Sequence, residues 1–346
     1  MRALAGAALV AFLAVTPRTA AACEIATAPT TRWSLTTVDG VSWLVTPCRQ
    51  RFLSLGVNAL DGGYPFRDKD GKVYYSWTAF APTRAAWAAT TRGRLAAWSF
   101  NSAGGWSLPP QESRLPTIVN LELGRNARFH WFDPFAPETD TRMMTLARRL
   151  VAPYRHDPYR IGYFSDNEVG WWAGALFVYY SMKPADSATK QRWVENLRRH
   201  YAGDWRRFTA DFIPPSGVNS WAGLLAATAM TRMRPGSAGI HAVREWCGVV
   251  ADHYYRLAAR AIRAADPDAL YFGDRLPIYY DPAAVRAMAP YVDAIATNYN
   301  VDASDGWIAD YYFDGLRKLS GGKPVLVSEW FSRPATTAPA TATTAI

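Results

Sequence analysis

Two glutamates of the 346-residue chain each follow a short apolar run with the composition of a buried strand. Glu168 ends the segment RIGYFSDNE, directly after Asp166 and Asn167, and Glu329 follows the segment KPVLVS. Two carboxylates that face each other across a cleft can cleave a glycosidic bond, because one protonates the leaving oxygen while the other attacks or activates water. Glu168 and Glu329 are therefore the first candidates for catalysis.

The elements that must position these acids alternate between strands and helices. Short apolar runs are typical of strands covered on both faces, and residues at helical spacing occupy the intervals between them. The predicted strands are 52–58, 96–102, 117–123, 161–168, 269–275, 292–299 and 324–330. The predicted helices are 240–264, one that starts at Asp281 and Pro282, and one that carries Ile308, Tyr312 and Leu316 after an Asp305 cap.

Seven such units over residues 51–332 predict an α/β fold of the (β/α)8 TIM-barrel type that is truncated after its seventh strand. A helical excursion over about 171–240 separates the fourth and fifth strands. A doubly wound sheet is the alternative, but the segment after the first strand lacks the glycine spacing of a phosphate-binding turn. We therefore favour the barrel.

The chemistry of a β/α barrel lies at the carboxyl ends of its strands. This rule selects Asn58, Asn101, Glu122, Asp166, Asn167, Glu168, Asp274, Arg275, Asn298, Tyr299 and Glu329. Strands 4 and 7 face each other across the mouth of a barrel, so Glu168 and Glu329 are expected to converge. In a retaining glycosidase the two carboxyl groups lie about 5–5.5 Å apart.

The segments GYFSDNE and KPVLVSEW resemble the paired motifs of the clan A glycoside hydrolases, most closely the bacterial agarase and family 42 β-galactosidase-like branch. The fragments FNSAGGWS, FDPFAP, LYFGDR and DAIATNYN support the resemblance, which extends over most of residues 50–332. The resemblance implies that Glu168 is the general acid/base and that Glu329 is the nucleophile. It also implies that Glu329 is ionised and that Glu168 keeps its proton until the leaving group takes it.

The resemblance further implies roles in sugar binding. Asn167 is expected to bind the hydroxyl next to the reacting carbon, and Tyr299 to hold the Glu329 carboxylate. The remaining candidates for sugar contact are Asn101, Trp106, Asp166, Asn298 and Trp171. A structural alternative stays open for these residues, because polar groups at strand ends also bind loop backbone and tryptophans also pack in cores.

The composition of the chain indicates which classes of partner and cofactor to expect. The net charge of +9 is carried by arginines spread along the chain, without the basic stripe of a nucleic-acid binder, so no nucleic-acid partner is predicted. No pair of cysteines or histidines has the spacing of metal ligands, so neither a metal nor another cofactor is predicted. The 15 Trp and 18 Tyr suit a carbohydrate partner, because aromatic rings stack on the apolar faces of sugars. Oligomeric state is left open.

The N-terminal segment predicts export. Residues 1–22 combine a basic start, a short apolar run and small residues before Cys23, as in a secretory signal peptide, and no later apolar run is long enough to span a membrane. The mature protein is expected to be secreted or periplasmic. Cys23 allows either a lipoprotein anchor or a disulfide with Cys48. Residues 23–50 form an N-terminal extension or small hairpin, and 333–346 a low-complexity tail.

Three functions of different classes remain. The first is a secreted retaining glycosidase that hydrolyses galactose-containing poly- or oligosaccharides. The second is a truncated relative that binds carbohydrate with impaired turnover, because the family pattern continues to an eighth strand and this sequence gives RPATTAPATATTAI instead. A scaffold or adhesion protein ranks third.

Overall fold

The computed structural model describes residues 23–74, 76–301 and 307–331. The strands are β1 (Ser34–Val38), β2 (Val41–Val45), β3 (Arg51–Phe52), β4 (Gly56–Val57), β5 (Ser102–Ala103), β6 (Thr117–Asn120), β7 (Arg160–Phe164), β8 (Phe212–Ile213), β9 (Arg232–Met233), β10 (Leu270–Tyr271), β11 (Ile295–Asn300) and β12 (Val325–Phe331). The helices are α1 (Arg84–Ala97), α2 (Pro110–Ser113), α3 (Leu123–Ala127), α4 (Pro137–Val151), α5 (Ala173–Ser181), α6 (Ala188–His200), α7 (Trp205–Asp211), α8 (Trp221–Ala226), α9 (Ile240–Ala265), α10 (Pro282–Met288) and α11 (Ala309–Leu319). The α/β class predicted from the sequence is confirmed.

Parallel strands follow one another in sequence order. β4, β5, β6, β7 and β10 form one parallel sheet, and β11 and β12 form a parallel pair. Leu276 joins the two, because its N–H donates to Ala296 O at 3.1 Å and its carbonyl accepts from the Asn298 N–H at 2.7 Å. The Asn58 amide then donates to Ser328 O at 3.1 Å, so a side chain links the residue after β4 to β12. Six of the seven predicted strands contain most of the residues of one of these parallel strands, and the exception is 96–102.

The predicted strand at 96–102 is wrong in its first half. Helix α1 continues to Ala97, and only Ser102 and Ala103 pair as β5. The alanine-rich segment favours a helix, and the Thr83 side chain caps it by accepting from the Ala86 N–H at 3.1 Å. Asn101 consequently precedes β5 instead of ending it.

The N-terminal extension covers the end of the sheet from which the strands start. β1 and β2 pair as an antiparallel hairpin, and Trp33 donates from Nε1 to Pro158 O at 2.8 Å, just before β7. Trp33 and Leu44 are buried in a core with residues of β6, β7 and β10. Cys23 is disulfide-bonded to Cys48, so of the two alternatives for Cys23 the structure favours the disulfide, since one sulfur cannot also carry a lipid.

Helices α5 to α8 and the antiparallel pair β8–β9 fill the interval between β7 and β10. Helix α9 confirms the prediction for 240–264 and packs against α4, α5 and α10. The predicted cap of α10 is also confirmed, because Asp281 Oδ1 accepts from the Ala283 N–H at 2.7 Å. The buried face of α9 brings Tyr254 and Tyr255 to the ends of β7 and β10.

In the described part of the chain, no helix is both long enough and apolar enough to cross a bilayer. The predicted signal peptide at 1–22, the Asp305 cap and the tail at 333–346 lie outside the described residues.

Candidate active site

Side chains beyond four parallel strands form one hydrogen-bonded group. Glu329, on β12, is held through both carboxylate oxygens: Arg275 Nη2 donates to Oε2 at 2.9 Å, and Asn300 Nδ2 donates to Oε1 at 2.8 Å. Arg275 follows β10 and Asn300 ends β11. Three neighbouring strands thus fix the orientation of this carboxylate.

Asn298 connects the two predicted catalytic glutamates. Its Nδ2 donates to Glu168 Oε1 at 2.9 Å and to Asn167 Oδ1 at 3.1 Å, and its Oδ1 accepts from Ser328 Oγ at 2.9 Å. On the backbone, Asn298 is paired with Glu329 across the β11–β12 ladder. The structure therefore brings Glu168, Glu329, Asn167 and Asn298 together at the carboxyl ends of the strands.

Arg275 contacts Glu329 in this group, although sequence reasoning gave it no role. Its side chain is buried, and its guanidinium carbon lies 4.6 Å from the centre of the Trp106 ring. A Cβ at Gly105 would lie 3.1 Å from Arg275 Nη1, so the glycine leaves room for the guanidinium. Burial lowers the pKa of Arg275, and the nearby Glu329 carboxylate opposes that change. The guanidinium nevertheless stays charged in a protein. The signal in the sequence was a basic residue at a strand end among acids.

The two glutamates have different surroundings. Glu329 receives one charged and one neutral donor and is partly exposed, whereas Glu168 is exposed and receives a single amide donor. The backbone of Glu168 is fixed, because its N–H donates to Arg275 O at 3.0 Å. An oriented carboxylate beside an accessible one matches the two tasks of glycosidic cleavage.

Trp106 lies at the mouth, as predicted. Its indole Nε1 donates to Glu122 Oε1 at 3.0 Å while its ring lies beneath Arg275. Trp106, Glu122 and Glu168 all have positive φ angles, of 56°, 49° and 47°. Such backbone costs about 1–3 kcal/mol per residue and is concentrated at functional sites. Other non-glycine residues with positive φ lie elsewhere in the chain, so these three accompany the site without locating it.

The structure does not bring Asn101 to the mouth. The residue precedes β5, so it lies at the opposite end of the strand from Trp106. Its amide donates to Leu53 O and accepts from the Leu55 N–H, both at 2.8 Å. Asn101 therefore ties down the segment before β4, and the sugar contact expected of it is corrected.

Tyr299 faces away from the two glutamates. Side chains alternate along a strand, so Asn298 and Asn300 point to the mouth while Tyr299 points to the helix layer. Its ring packs against Tyr312 and Phe313 of α11, and its buried hydroxyl has no hydrogen-bond partner among the residues described. The role expected of Tyr299, to hold Glu329, is filled by Asn300 and Arg275.

Asp166 is buried behind the mouth and not in it. Its carboxylate accepts from the Gly124 N–H at 2.7 Å, from the Arg125 N–H at 2.9 Å and from the Tyr254 hydroxyl. Burial raises its pKa to about 7, against the pull of these hydrogen bonds. Asp166 therefore anchors the start of α3 and is not placed to contact sugar.

Trp171 and Asp274 belong to the same buried layer. Trp171 donates from Nε1 to the Tyr255 hydroxyl at 2.7 Å. Asp274 accepts from the Tyr255 hydroxyl and from the Val169 N–H at 3.3 Å, and burial raises its pKa to about 6. The sugar contact predicted for Trp171 is thus corrected to packing, whereas the next residue, Trp172, is exposed.

Several exposed aromatic rings lie on the segments between the parallel strands and the helices. They comprise Tyr64, Tyr74, Trp106, Trp131, Trp172, Tyr279 and Trp307. Large apolar groups left exposed around a cleft mark binding surfaces. No group of three or more His, Cys, Asp or Glu side chains in the described ranges could hold a metal ion.

Comparisons with known proteins show the fold. No family model and no curated protein matches the chain. Among solved structures, the agarase AgWH50C has a TM-score of 0.67 at 19% identity, over 87% of this chain and 52% of that one. PfGH50B has a TM-score of 0.68 at 18% identity, over 88% and 53%. An exo-β-agarase has a TM-score of 0.67 at 18% identity, over 87% and 53%.

The chain spans about half the length of these solved structures. Their likeness covers 87–88% of this chain, at a sequence identity that reports on the fold alone. The chain thus shares the TIM-barrel-like α/β fold of the agarases, and the resemblance noted in its sequence is confirmed at the level of the fold.

Proposed function

We propose that the chain is a secreted retaining glycoside hydrolase that cleaves galactose-containing poly- or oligosaccharides. One observation carries the proposal: Asn298 binds Glu168, while its partner across the ladder, Glu329, is held by Arg275 and Asn300. Glycosidic cleavage requires two carboxyl groups close together, and here both belong to one hydrogen-bonded group in which a guanidinium orients one of them.

In the proposed mechanism Glu329 is the nucleophile. Arg275 and Asn300 leave its carboxylate in a single orientation, from which one oxygen attacks the anomeric carbon. Glu168 donates its proton to the leaving oxygen as the glycosidic bond breaks, so the leaving sugar departs as an alcohol. Glu168 then takes a proton from water, and the hydroxide releases the sugar from Glu329. Asn167 is positioned beside Glu168 to bind the neighbouring hydroxyl.

The substrate class rests on two observations. Two of the solved structures of like fold are an agarase and an exo-β-agarase. Exposed aromatic rings on the segments between the parallel strands and the helices suit the C–H faces of sugars. Export is supported by the disulfide between Cys23 and Cys48, since such bonds persist outside the cytosol.

We also propose that the seven parallel strands are seven units of an eight-unit barrel. A cleft of about 590 Å³ lies between the β1–β2 hairpin, β3 and β12, with Trp43, Phe52 and Leu326 in its walls. The cleft lies beside β12, which pairs with β11 on one side and, among the described strands, with none on the other. An eighth parallel strand at this edge of β12 would continue the order of the barrel.

Hydrolysis of agarose oligosaccharides tests the proposed function. Glu168→Gln and Glu329→Gln should each lower kcat/KM by roughly 10²- to 10⁴-fold, the usual range for loss of a catalytic acid or base. Glu195→Gln, an exposed glutamate on α6, is the matched control and should keep wild-type activity. Proton NMR should show that the first product has the same anomeric configuration as the glycosidic bond in the substrate.

Two outcomes would contradict the proposal. Full activity of Glu329→Gln would show that Glu329 is not the nucleophile. A product of inverted anomeric configuration would exclude a covalent glycosyl-enzyme intermediate. Oligosaccharide binding without turnover in the wild type would instead favour a carbohydrate-binding relative with an impaired site.

A further inference from the structure

A patch of arginine and aromatic side chains lies on the segment that follows β6. We define the arginine patch as Arg125, Arg128, Trp131, Phe132 and Arg142. All but Arg142 line a cavity of about 420 Å³. Trp131 is 68% exposed, and the lining of the cavity includes two guanidinium groups and no carboxylate. The patch is therefore positively charged and apolar at once.

The guanidinium groups of the patch keep donors free for a ligand. Arg142 is stacked 4.3 Å from the centre of the Phe132 ring and donates only from Nη1, to Ala127 O at 3.2 Å. The exposed Arg128 has no ion pair or side-chain hydrogen bond in the part of the chain that the structure describes. Its φ of 53° is a left-handed conformation that asparagine adopts more readily than arginine.

Direct contacts connect the patch to the candidate active site. Arg125 Nη1 pairs with Glu122 Oε2 at 3.0 Å, and Glu122 Oε1 accepts from Trp106 Nε1 at 3.0 Å. Trp106 in turn lies beneath Arg275, which binds Glu329. A sugar chain bound at the glutamates can therefore extend over Trp106 to the patch.

The chemistry of the patch selects one kind of occupant. An exposed indole offers a face to the C–H groups of a sugar, and a guanidinium fork matches the two oxygens of a sulfate or carboxylate group. We propose that the arginine patch is an outer subsite for an anionic galactan unit, one that bears a sulfate ester or a carboxylate. The inference rests on the proposed function and names its substrate more closely.

The test compares substrates of equal length that differ in charge. The substrates are a neutral agarose oligosaccharide, a sulfated galactan oligosaccharide and a carboxylated one. Arg128→Asn, which suits the left-handed backbone, should lower the ratio of kcat/KM for an anionic over the neutral substrate by roughly tenfold. Arg149→Gln, an exposed arginine in the last turn of α4, removes the same charge elsewhere and should keep the ratio.

Binding to Glu329→Gln separates this inference from the proposed function. In calorimetric titrations that variant should bind an anionic oligosaccharide more tightly than the neutral one, and added Arg128→Asn should abolish the preference. If the affinity of only one anionic oligosaccharide depends on Arg128, that oligosaccharide shows whether the patch binds sulfate or carboxylate. If the affinity of neither depends on Arg128, the inference is overturned. Absence of hydrolysis by the wild type, with the binding preference of Glu329→Gln intact, overturns the proposed function alone.

Discussion

Two groups of acids lie at the same strand ends, and they differ in almost every physical respect. Asp166 and Asp274 are buried, bound by backbone N–H groups and tyrosine hydroxyls. Glu168 and Glu329 open to solvent and are bound by Asn298, Asn300 and Arg275. Asp166 and Glu168 are only two residues apart. A carboxylate at a strand end is therefore assigned to chemistry or to structure by what it faces.

The buried group supports the exposed one. Asp274 accepts from the Val169 N–H, and the adjacent Arg275 O accepts from the Glu168 N–H. Residues 274 and 275 thus hold the turn that carries Glu168 with its positive φ. The buried acids therefore fix the backbone of the glutamate that we propose as the catalytic acid.

Two buried arginines at opposite ends of the strands give the largest expected difference. Arg275→Lys should lower kcat by about 10²-fold, because a lysine cannot reproduce the guanidinium contacts to Glu329 and Trp106. Arg160→Lys alters the pair with Asp266 at the start of β7, where the ion pair is 3.2 Å long. It should lower the thermal midpoint while leaving kcat of the folded enzyme unchanged.

The paired measurement is kcat at saturating oligosaccharide, corrected for the folded fraction by circular dichroism. Equal losses of kcat in both variants would show that a buried arginine matters to this fold through stability alone. Arg275 would then have no direct role at the mouth.

Sequence reasoning predicted the parallel strands and both glutamates because apolar runs and strand-end acids are local signals. It placed the adjacent residues Asn298 and Tyr299 both at the mouth, but side chains alternate along a strand, and the packing of Tyr299 on α11 shows which of the two points there. It misassigned Asp166 because the partner that makes it structural, Tyr254, is 88 residues away on α9. Arg275 received no role for the same reason: its meaning depends on Glu329.

The pH dependence of stability tests the burial of Asp166. Folding raises the pKa of Asp166 from 3.8 to about 7, so the folded protein holds this proton more tightly than the unfolded chain. The stabilisation is complete below pH 4 and is lost as pH rises through about 7. Relative to Asp166→Asn, the wild type should lose more than about 1 kcal/mol of unfolding free energy between pH 5 and 8.

Urea titrations at these two pH values give the comparison. A constant difference between the wild type and Asp166→Asn would mean that the hydrogen bonds of Asp166 offset its desolvation.

The smallest difference is expected between two adjacent tryptophans. Trp171 is buried and donates to Tyr255, whereas Trp172 is 69% exposed. Trp171→Phe leaves the Tyr255 hydroxyl without that donor and removes packed atoms, so it should lower the free energy of unfolding by about 1–3 kcal/mol. Trp172→Phe should change it by less than about 0.5 kcal/mol. If both variants unfold at the same urea concentration, the hydrogen bond between Trp171 and Tyr255 does not stabilise the protein. The boundary between the buried supporting layer and the exposed mouth then does not lie between Trp171 and Trp172.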